Sequence, residues 1–244
     1  MDSAKQQLQR LRVPPKTINP GRYRAYLAPA AVEEILQMVG YEGFSAKAQH
    51  NQTSCLMRLV RGTHPLSPMV SIRENIGAGA APGFQSEGFV LPAVTELIRN
   101  GSHVGPLISP RSAAEYGLVA NTRAAEEPDS LQLDGGELDP SGVLKALGTG
   151  IYVSNLWYLN FSDPNACRLT GMTRFATFWV EDGEIVAPLS VMRFDDSLFD
   201  LFGARLEGLT STVELRPSVG TYGQRSLQSV LVPGALVDGI TFTL

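Results

Sequence analysis

The 244-residue chain carries 20 Lys and Arg residues against 24 Asp and Glu residues, a formal net charge of -4. With 43% hydrophobic and 18% charged residues, its composition is that of a folded globular protein rather than a disordered one. Its 24 glycines and 16 prolines exceed the usual share, which favours many turns over a plain helical bundle. The acidic balance, without a basic block, argues against binding of a phosphate backbone, so we expect no nucleic-acid partner.

We expect neither a membrane-spanning nor a secretory segment. The uncharged apolar stretches are far shorter than the ~20 residues that a membrane-spanning helix requires. Residues 1–7 are polar, so no secretory leader is predicted. Cys55 and Cys167 are too few for a disulfide framework, and we expect them to be buried thiols of a cytoplasmic protein.

The amino-terminal region predicts two helices. Residues 4–12 favour a short polar helix, and we interpret residues 1–22 as a helical or extended lead-in to one domain that spans 1–244. A clearer helix is predicted over 29–39. Pro29 suits its first position, and apolar residues recur three and four positions apart before Gly40.

A hairpin and a short helix are predicted in the middle of the chain. Asn100-Gly101 separates two strand-like runs within 94–108, and both residue types tolerate the positive φ of a type I′ turn. Ser109 and Pro110 then begin a short helix, which Gly117 ends.

Two loops flank these elements. The Gly- and Ala-rich residues 77–83 predict an exposed loop, and they lack the Lys-Ser/Thr ending of a phosphate-binding loop. Residues 124–139 are acidic and poor in apolar side chains, so the sequence predicts an exposed excursion in which Glu126 and Glu127 are solvated.

The second half of the chain is richer in strands. Residues 150–160 combine aromatic and β-branched side chains, and 173–180 and 184–191 flank the turn signal Asp182-Gly183.

Helix caps and terminal strands complete this half. Asp139 caps a predicted helix over 143–147, Asp195-Asp196 caps another that reaches Leu206, and residues 226–244 predict two or three strands. These elements predict an α+β fold, with mixed, largely antiparallel sheets built from hairpins and a few flanking helices.

Familiar catalytic motifs are absent from the sequence. The three histidines, His50, His64 and His103, form no His-Glu-x-x-His pair, and His50 with Cys55 lacks a third metal ligand nearby. No Gly-x-Ser-x-Gly elbow is present. Cys167 is followed by an arginine that could activate its thiol, but an inert thiol is the favoured reading because no histidine is close in sequence. We therefore assign no catalytic and no metal-binding residue.

Two segments resemble the carboxy-terminal domain of the TldD/PmbA family. They are residues 150–160 (GIYVSNLWYLN) and 170–188 (TGMTRFATFWVEDGEIVAP), the second with the family's aromatic, acidic-turn and Ile-Val hairpin. The resemblance is weaker around Glu87-Gly88, the Asn100-Gly101 hairpin and residues 112–118. It implies that the chain is a short relative or a fragment of proteins that process peptides and were named as modulators of DNA gyrase.

The resemblance also implies what this chain lacks. The TldD type resembles a zinc peptidase whose ligands come from a His-Glu-x-x-x-His helix and a cysteine near the carboxy terminus. The matching segments, 32–38 (VEEILQM) and 220–224 (GTYGQ), contain neither histidine nor cysteine. The chain is therefore similar to the PmbA (TldE) type, which lacks metal and pairs with a TldD-type subunit around a shared chamber for a peptide substrate. Zinc is expected in that partner, and a homodimer is expected when the chain is alone.

Tyr158, Asn160 and Arg174 are the substrate-binding candidates, because they lie on the two resembling strands and extended peptides are held by strand-rich surfaces. The alternative for them is ordinary cross-strand packing. Two other functions stay open at this point. The chain could be a self-sufficient peptidase with an unrecognised site such as Cys167, or a module that interacts with gyrase or DNA.

Overall fold

The structure, a computed structural model, describes residues 2–85, 88–221 and 223–243. Its helices are α1 (Asp2–Arg10), α2 (Pro29–Gly43), α3 (Ala46–His50), α4 (Met57–Val60), α5 (Pro110–Tyr116) and α6 (Val143–Leu147). Its strands are β1 (Gly21–Leu27), β2 (Ile72–Glu74), β3 (Thr95–Arg99), β4 (Ser102–His103), β5 (Ser130–Leu133), β6 (Gly150–Asp163), β7 (Arg168–Glu181), β8 (Glu184–Pro188), β9 (Arg193–Ser197), β10 (Leu206–Leu209), β11 (Glu214–Pro217), β12 (Ser229–Val232) and β13 (Ala235–Phe242). The predicted α+β class is confirmed.

Seven strands form the first sheet, and five of them close into a small barrel. β1 pairs in parallel with β6 and antiparallel with β13, while β7 and β9 connect β6 to β13. β8 adds to β7, and β10 adds to β13. Because the barrel is closed, most of these strands form backbone hydrogen bonds with a neighbouring strand along both edges.

The β6–β7 hairpin supplies the longest strands of the barrel, with 14 residues each. Its turn is closed by Asp163, whose side chain accepts hydrogen bonds from the backbone N–H groups of Asn165 and Ala166, and by Cys167 in the left-handed region at φ 43. β1 pairs with β6 only as far as Val153. Beyond that residue, the edge of β6 that faces away from β7 has no strand partner in the described part of the chain.

Six short strands form the second sheet, in the order β11-β12-β5-β2-β3-β4. β12 and β5 pair in parallel, and the remaining neighbours are antiparallel. Only β3 and β4 form a tight hairpin, and the other strands come from segments far apart in the sequence.

Helix α2 packs between the two sheets. It contacts β6 of the barrel and β11 and β12 of the second sheet. Val32, Ile35, Leu36 and Val39 are buried, on the face that the periodicity predicted. Residues of both sheets belong to one continuous apolar cluster around this helix, so the two sheets share a core.

Several turns and caps are confirmed as predicted. Asn100 (φ 48) and Gly101 (φ 76) form the left-handed turn between β3 and β4, and Asp182 and Gly183 do the same between β7 and β8. Ser109 caps α5 by accepting a hydrogen bond from the backbone of its first turn.

The prediction for residues 124–139 was wrong. Residues 130–133 form β5, which lies inside the second sheet between β12 and β2, and Glu126 is buried. The acidic composition of this stretch was misleading because the carboxylate of Glu126 is a buried hydrogen-bond acceptor rather than a solvated charge.

The predicted helix cap at Asp195-Asp196 was also wrong. Both residues lie in β9, and the helical part that follows is short and ends in a π-helical turn, Asp200–Ala204. Asp196 is buried and accepts a hydrogen bond of 2.8 Å from Arg205. Asp238-Gly239, a pair of residues typical of turns, lies within β13. Buried pairing and sheet continuity override the local turn preference in both places.

Candidate functional site

Two adjoining cavities form a groove along the flank of the second sheet. The smaller one, about 220 Å³, lies between the end of α2 and β12. The larger one, about 580 Å³, lies between residues 81–85 and 224–228. Glu127 and Gln228 line both cavities, which therefore meet at these two residues. We call the two cavities together the groove.

The end of α2 forms one wall of the smaller cavity. Tyr41 (ψ 106) and Glu42 (φ 60) leave the helical conformation there. Gly40 faces Pro128, and a Cβ atom on Gly40 would lie 3.0 Å from the Cγ of that proline. A side chain at this point would push the 127–131 segment away from the helix, so glycine keeps the two walls close together.

Glu126 fixes the segment that crosses the groove. It is 2% exposed, and its Oε2 accepts hydrogen bonds from Ser45 Oγ (2.6 Å) and Lys47 N (2.9 Å). Its Oε1 accepts two more, from Ser109 N (2.9 Å) and Ser109 Oγ (2.7 Å). Burial by itself raises the pKa of a carboxyl, but hydrogen bonds from Ser112, Ser45, Lys47 and Ser109 outweigh it and lower the pKa of Glu126 to about 2. The carboxylate thereby joins the starts of α3 and α5.

Glu127, the next residue, carries the charge of the smaller cavity. It is half-buried, and it is the only charged residue among the described residues that line this cavity. No side chain in the described part of the chain forms an ion pair with its carboxylate. Gln37, Ser218 and Gln228 line the same cavity with amide and hydroxyl groups. The smaller cavity therefore holds an unpaired negative charge among neutral hydrogen-bonding groups.

The larger cavity has a more balanced charge. Arg123 Nη2 lies 2.8 Å from Asp129 Oδ1, and both residues line it. Glu74 is buried at the end of β2, where its Oε1 accepts hydrogen bonds from Asp129 N (2.8 Å) and Ser130 N (2.9 Å). Among the described residues, its Oε2 has no hydrogen-bond partner. Burial, together with repulsion from Asp129, raises the pKa of Glu74 to about 7 against the lowering effect of the backbone hydrogen bonds and of Arg123.

Comparisons with known proteins agree with this architecture. The family model for the PmbA/TldA metallopeptidase C-terminal domain matches residues 20–244. The chain belongs to this family. No curated protein matches its sequence significantly.

Three solved structures share the fold of this family member. TldE from Thermococcus kodakarensis is 15% identical with a TM-score of 0.81, and the match covers 100% of this chain and 55% of that one. Proposed modulators of DNA gyrase from Thermotoga maritima (19% identity, TM-score 0.79, covering 98% and 54%) and Bacteroides thetaiotaomicron (17% identity, TM-score 0.77, covering 99% and 51%) are also similar. The chain spans about half the length of each of these structures.

The two segments that the resemblance matched to the zinc ligands of the TldD type each contribute a residue to the groove, in different cavities. α2 contributes Gln37 to the smaller cavity, and Gln224 beyond the tail loop lines the larger one. Tyr222, in the middle of the matching tail segment, lies outside the described residues. The described lining residues offer amides, hydroxyls and the carboxylates of Glu127 and Asp129, but no imidazole or thiolate, and the described chain holds no cluster of three metal-ligating side chains. This donor set does not fit a zinc site.

The three candidate residues on β6 and β7 lie apart from the groove lining. Tyr158 is 69% exposed at φ 56, and Asn160 is exposed two residues further along the strand. Arg174 stacks its guanidinium over the rings of Trp157 (4.3 Å) and Phe175 (4.7 Å). The three residues share an exposed aromatic surface near the end of the hairpin, and their role in substrate binding stays a prediction.

The reactive-thiol hypothesis for Cys167 is not supported. Its side chain is fully buried, and a hydrogen bond with Cys55 together with burial raises the pKa of the Cys167 thiol. His50 and Cys55, considered above as a metal-binding pair, have different surroundings. Cys55 is buried, and the ring of His50 stacks on that of Tyr116 with 4.1 Å between the ring centroids. A buried thiol with a raised pKa does not supply a thiolate nucleophile.

Glu127 was not predicted from the sequence as a groove residue. Its local signal was the Glu126-Glu127-Pro128 run, in which proline restricts the residue before it to extended conformations. Such a run also fits a solvated loop, and only the long-range contacts of Glu126 with α3 and α5 show that it is fixed. Glu87, part of the weaker resemblance, lies outside the described residues.

Proposed function

We propose that this chain is a non-metal, PmbA/TldE-like subunit of a TldD-type metalloprotease system. Its groove holds part of an extended peptide during proteolysis or maturation, and a zinc-bearing partner supplies the hydrolytic chemistry. No residue of this chain is assigned a catalytic role. In the absence of that partner we expect a homodimer, and we expect the system to work in the cytoplasm.

The convergence of α2 and the tail at the groove carries this proposal. In a TldD-type zinc peptidase these two segments are expected to bring the ligands together. Here Gln37 of α2 lies in the smaller cavity with Ser218 and Gln228, which flank the tail segment 220–224. Such side chains can hydrogen-bond to a peptide backbone but cannot hold a catalytic zinc ion. A substrate-binding role without hydrolysis is therefore the role that this lining supports.

The edge of the second sheet adds a second argument. β11 pairs with β12 on one side only within the described chain, and Ser218, directly after β11, lines the smaller cavity. The strand is anchored to α2 by an ion pair between Arg216 and Glu33. An extended peptide can add to such an edge through main-chain hydrogen bonds and continue into the groove.

Co-purification, metal analysis and peptide hydrolysis together test the proposal. We expect the tagged chain to be recovered with a TldD-type zinc peptidase from its own organism, to contain no stoichiometric zinc by itself, and to hydrolyse no peptide alone. The reconstituted pair should hydrolyse an unstructured peptide. Stoichiometric zinc in the isolated chain, with turnover, would instead establish a self-sufficient peptidase.

Peptide binding to the isolated chain tests the strand-addition step. Fluorescence anisotropy should show binding of a labelled extended peptide, and backbone N-methylation at alternate positions should weaken it because the donors to β11 are removed. A compact folded protein of similar charge serves as the control. The relatives named as gyrase modulators prompt one further measurement, in which a DNA duplex at low salt should not bind.

A further inference from the structure

The groove has a feature that general peptide binding does not require. Of the described residues lining the smaller cavity, the one charged residue is Glu127, and its carboxylate is not engaged in an ion pair within the described chain. In the larger cavity, which Glu127 also lines, the carboxylate of Asp129 is neutralised by Arg123 at 2.8 Å, and Arg225 adds a positive charge. An unpaired carboxylate in a partly enclosed polar pocket favours a ligand that brings the opposite charge.

The position of Glu127 is fixed from both sides in the sequence. Glu126 is held by four hydrogen bonds to Ser45, Lys47 and Ser109. Pro128 packs against Gly40 of α2, and its carbonyl oxygen accepts a hydrogen bond of 3.3 Å from Gln228 Nε2. The backbone of Glu127 is thus held before any ligand arrives, which reduces the entropy that binding costs.

The neighbouring groups suit an ammonium ion. The same cavity holds the amide oxygens of Gln37 and Gln228 and the hydroxyl oxygen of Ser218. Gln228 Oε1 already lies 3.3 Å from Ser226 Oγ, and Ser218 Oγ accepts a hydrogen bond of 3.3 Å from Gly220 N, but an oxygen with two lone pairs can accept a second donor. A primary ammonium has three donors and no acceptor, so a carboxylate with two or three neutral oxygens matches it. A carboxylate or phosphate ligand would meet the Glu127 charge and be repelled.

We propose that Glu127 forms the subsite of the groove that receives a primary ammonium group of the bound peptide. The group is a lysine side chain or a free amino terminus. This inference rests on the proposed peptide-binding function and adds to it the class of peptide that binds best, one with a positive charge at the position held in the smaller cavity.

Peptide anisotropy with the native 244-residue chain tests it. The probes are labelled extended pentapeptides, acetylated and amidated, with a central lysine, norleucine or glutamate, and one further peptide with neutral side chains and a free amino terminus. We expect the lysine peptide to bind about tenfold more tightly than the norleucine peptide, since a hydrogen bond to a charged group contributes that much in a partly enclosed site. The free-amino peptide separates an amino terminus from a lysine side chain as the source of the ammonium.

Three variants test whether the preference for the lysine peptide depends on Glu127. Glu127→Gln should bring the lysine-to-norleucine ratio close to one, and Glu127→Lys should favour the glutamate peptide instead. Glu137→Gln is the matched control, because it removes the same charge from an exposed residue of the same segment outside the groove lining and should retain the preference. Raising the salt concentration should reduce the preference of the native chain.

Two results are decisive against the ammonium subsite. One is equal affinity of the native chain for the lysine and norleucine peptides, and the other is a preference that persists in Glu127→Gln. In both cases peptides still bind, so the proposed function stands while this inference fails. Failure of every extended peptide to bind the native chain would overturn the peptide groove itself.

Discussion

The barrel and the second sheet are built in opposite ways. The barrel draws its long strands from a hairpin of 14-residue strands and a short β7–β8 hairpin, so much of its pairing is local in sequence. The second sheet gathers strands of two to five residues from positions between 72 and 232. The groove lies on the second sheet and its loops, and residues of the barrel form the other part of the shared core.

Buried carboxylates compensate for the irregular chain path around the second sheet. Short strands leave many backbone N–H groups at segment ends without ladder partners, and a buried donor without an acceptor is costly. Glu126 accepts hydrogen bonds from the starts of α3 and α5, and Glu74 accepts them from the start of β5 and the residue before it. Within the barrel, Asp196 plays a comparable role with Arg205. The second sheet should therefore respond strongly to changes at a few polar residues.

The largest effect is expected for Glu126→Ala. Removal of the carboxylate leaves the hydrogen-bond donors of Ser45, Lys47 and Ser109 buried without an acceptor, so the free energy of unfolding should fall by about 4 kcal/mol. Urea denaturation at neutral pH measures this change. Glu137→Ala, an exposed residue of the same segment, should change stability by less than about 0.5 kcal/mol.

The pH dependence of Glu126 sharpens the same prediction. Because the pKa of Glu126 is lowered in the folded chain from 4.5 to about 2, this group stabilises the fold above about pH 4.5 and loses that contribution as the pH falls toward 2. Glu126→Gln should lack this part of the acid-induced loss. Native and variant chains with parallel stability curves over this window would contradict the assignment.

The next largest change in the free energy of unfolding is expected at one of two neighbouring glycines in the loop 77–83. A Cβ atom on Gly79 would lie 2.0 Å from Ser130 Oγ and 2.4 Å from Ser130 Cβ, whereas the nearest atom to a Cβ on Gly77 is 3.7 Å away. Gly79→Ala should therefore lower the free energy of unfolding by about 3 kcal/mol, while Gly77→Ala should leave it nearly unchanged.

Equal melting temperatures for the two alanine variants would show that the loop is not docked on the second sheet. The neighbouring hydrogen bond from Ala80 N to Ser229 Oγ (3.0 Å) supports a docked loop, since Ser229 and Ser130 are paired on adjacent strands. The composition of residues 77–83 predicted their exposure correctly but could not show this close approach.

The barrel and the second sheet also differ in how much of their structure could be predicted from the sequence. Local signals predicted the β6 and β7 strands, the turns at Asn100-Gly101 and Asp182-Gly183, and the cap at Ser109. These features depend on residues within a few positions of one another. Strand β5 and the groove depend on contacts such as Ser45 with Glu126, 81 residues apart, and such contacts leave no periodic pattern in the sequence.

The family resemblance carried the functional interpretation further than the motifs did. It matched residues 32–38 and 220–224 to the zinc-ligand segments of the TldD type, and residues of both segments line the groove. It could not identify Glu127, because a single carboxylate before a proline acquires its role only from the walls that α2 and the tail place around it. The sequence alone therefore pointed to Tyr158, Asn160 and Arg174 on the hairpin, whereas Glu127 was found only from the structure.

Glu74→Gln should have a smaller effect that changes with pH. The pKa of Glu74 is raised by burial from 4.5 to about 7, so the folded chain binds more protons than the unfolded chain between these values. Stability from this group is present below about pH 4.5 and is lost as the pH rises through 7. Glu74→Gln keeps the amide acceptor for Asp129 N and Ser130 N but does not ionise.

The variant and the native chain should therefore diverge as the pH rises. Near pH 8 the glutamine variant should be more stable than the native chain by about 2 kcal/mol, whereas near pH 5 the two should be similar. Urea denaturation at several pH values measures the difference. A constant difference between the two chains would show that Glu74 does not titrate in this range.

The smallest expected effect concerns the barrel side, at Arg174. Its guanidinium stacks over Trp157 at 4.3 Å on a solvent-exposed surface, so Arg174→Ala should cost about 0.5 kcal/mol of stability.

If this surface contacts the peptide as predicted, the affinity for an extended peptide should also fall about two- to threefold, less than for a partly enclosed charge because solvent screens the interaction. Arg12→Ala, which removes an exposed positive charge from the amino-terminal lead-in, is the charge-matched control and should alter neither quantity. An unchanged peptide affinity in Arg174→Ala, combined with a loss in Glu127→Gln, would confine substrate binding to the groove and leave the hairpin surface to packing alone.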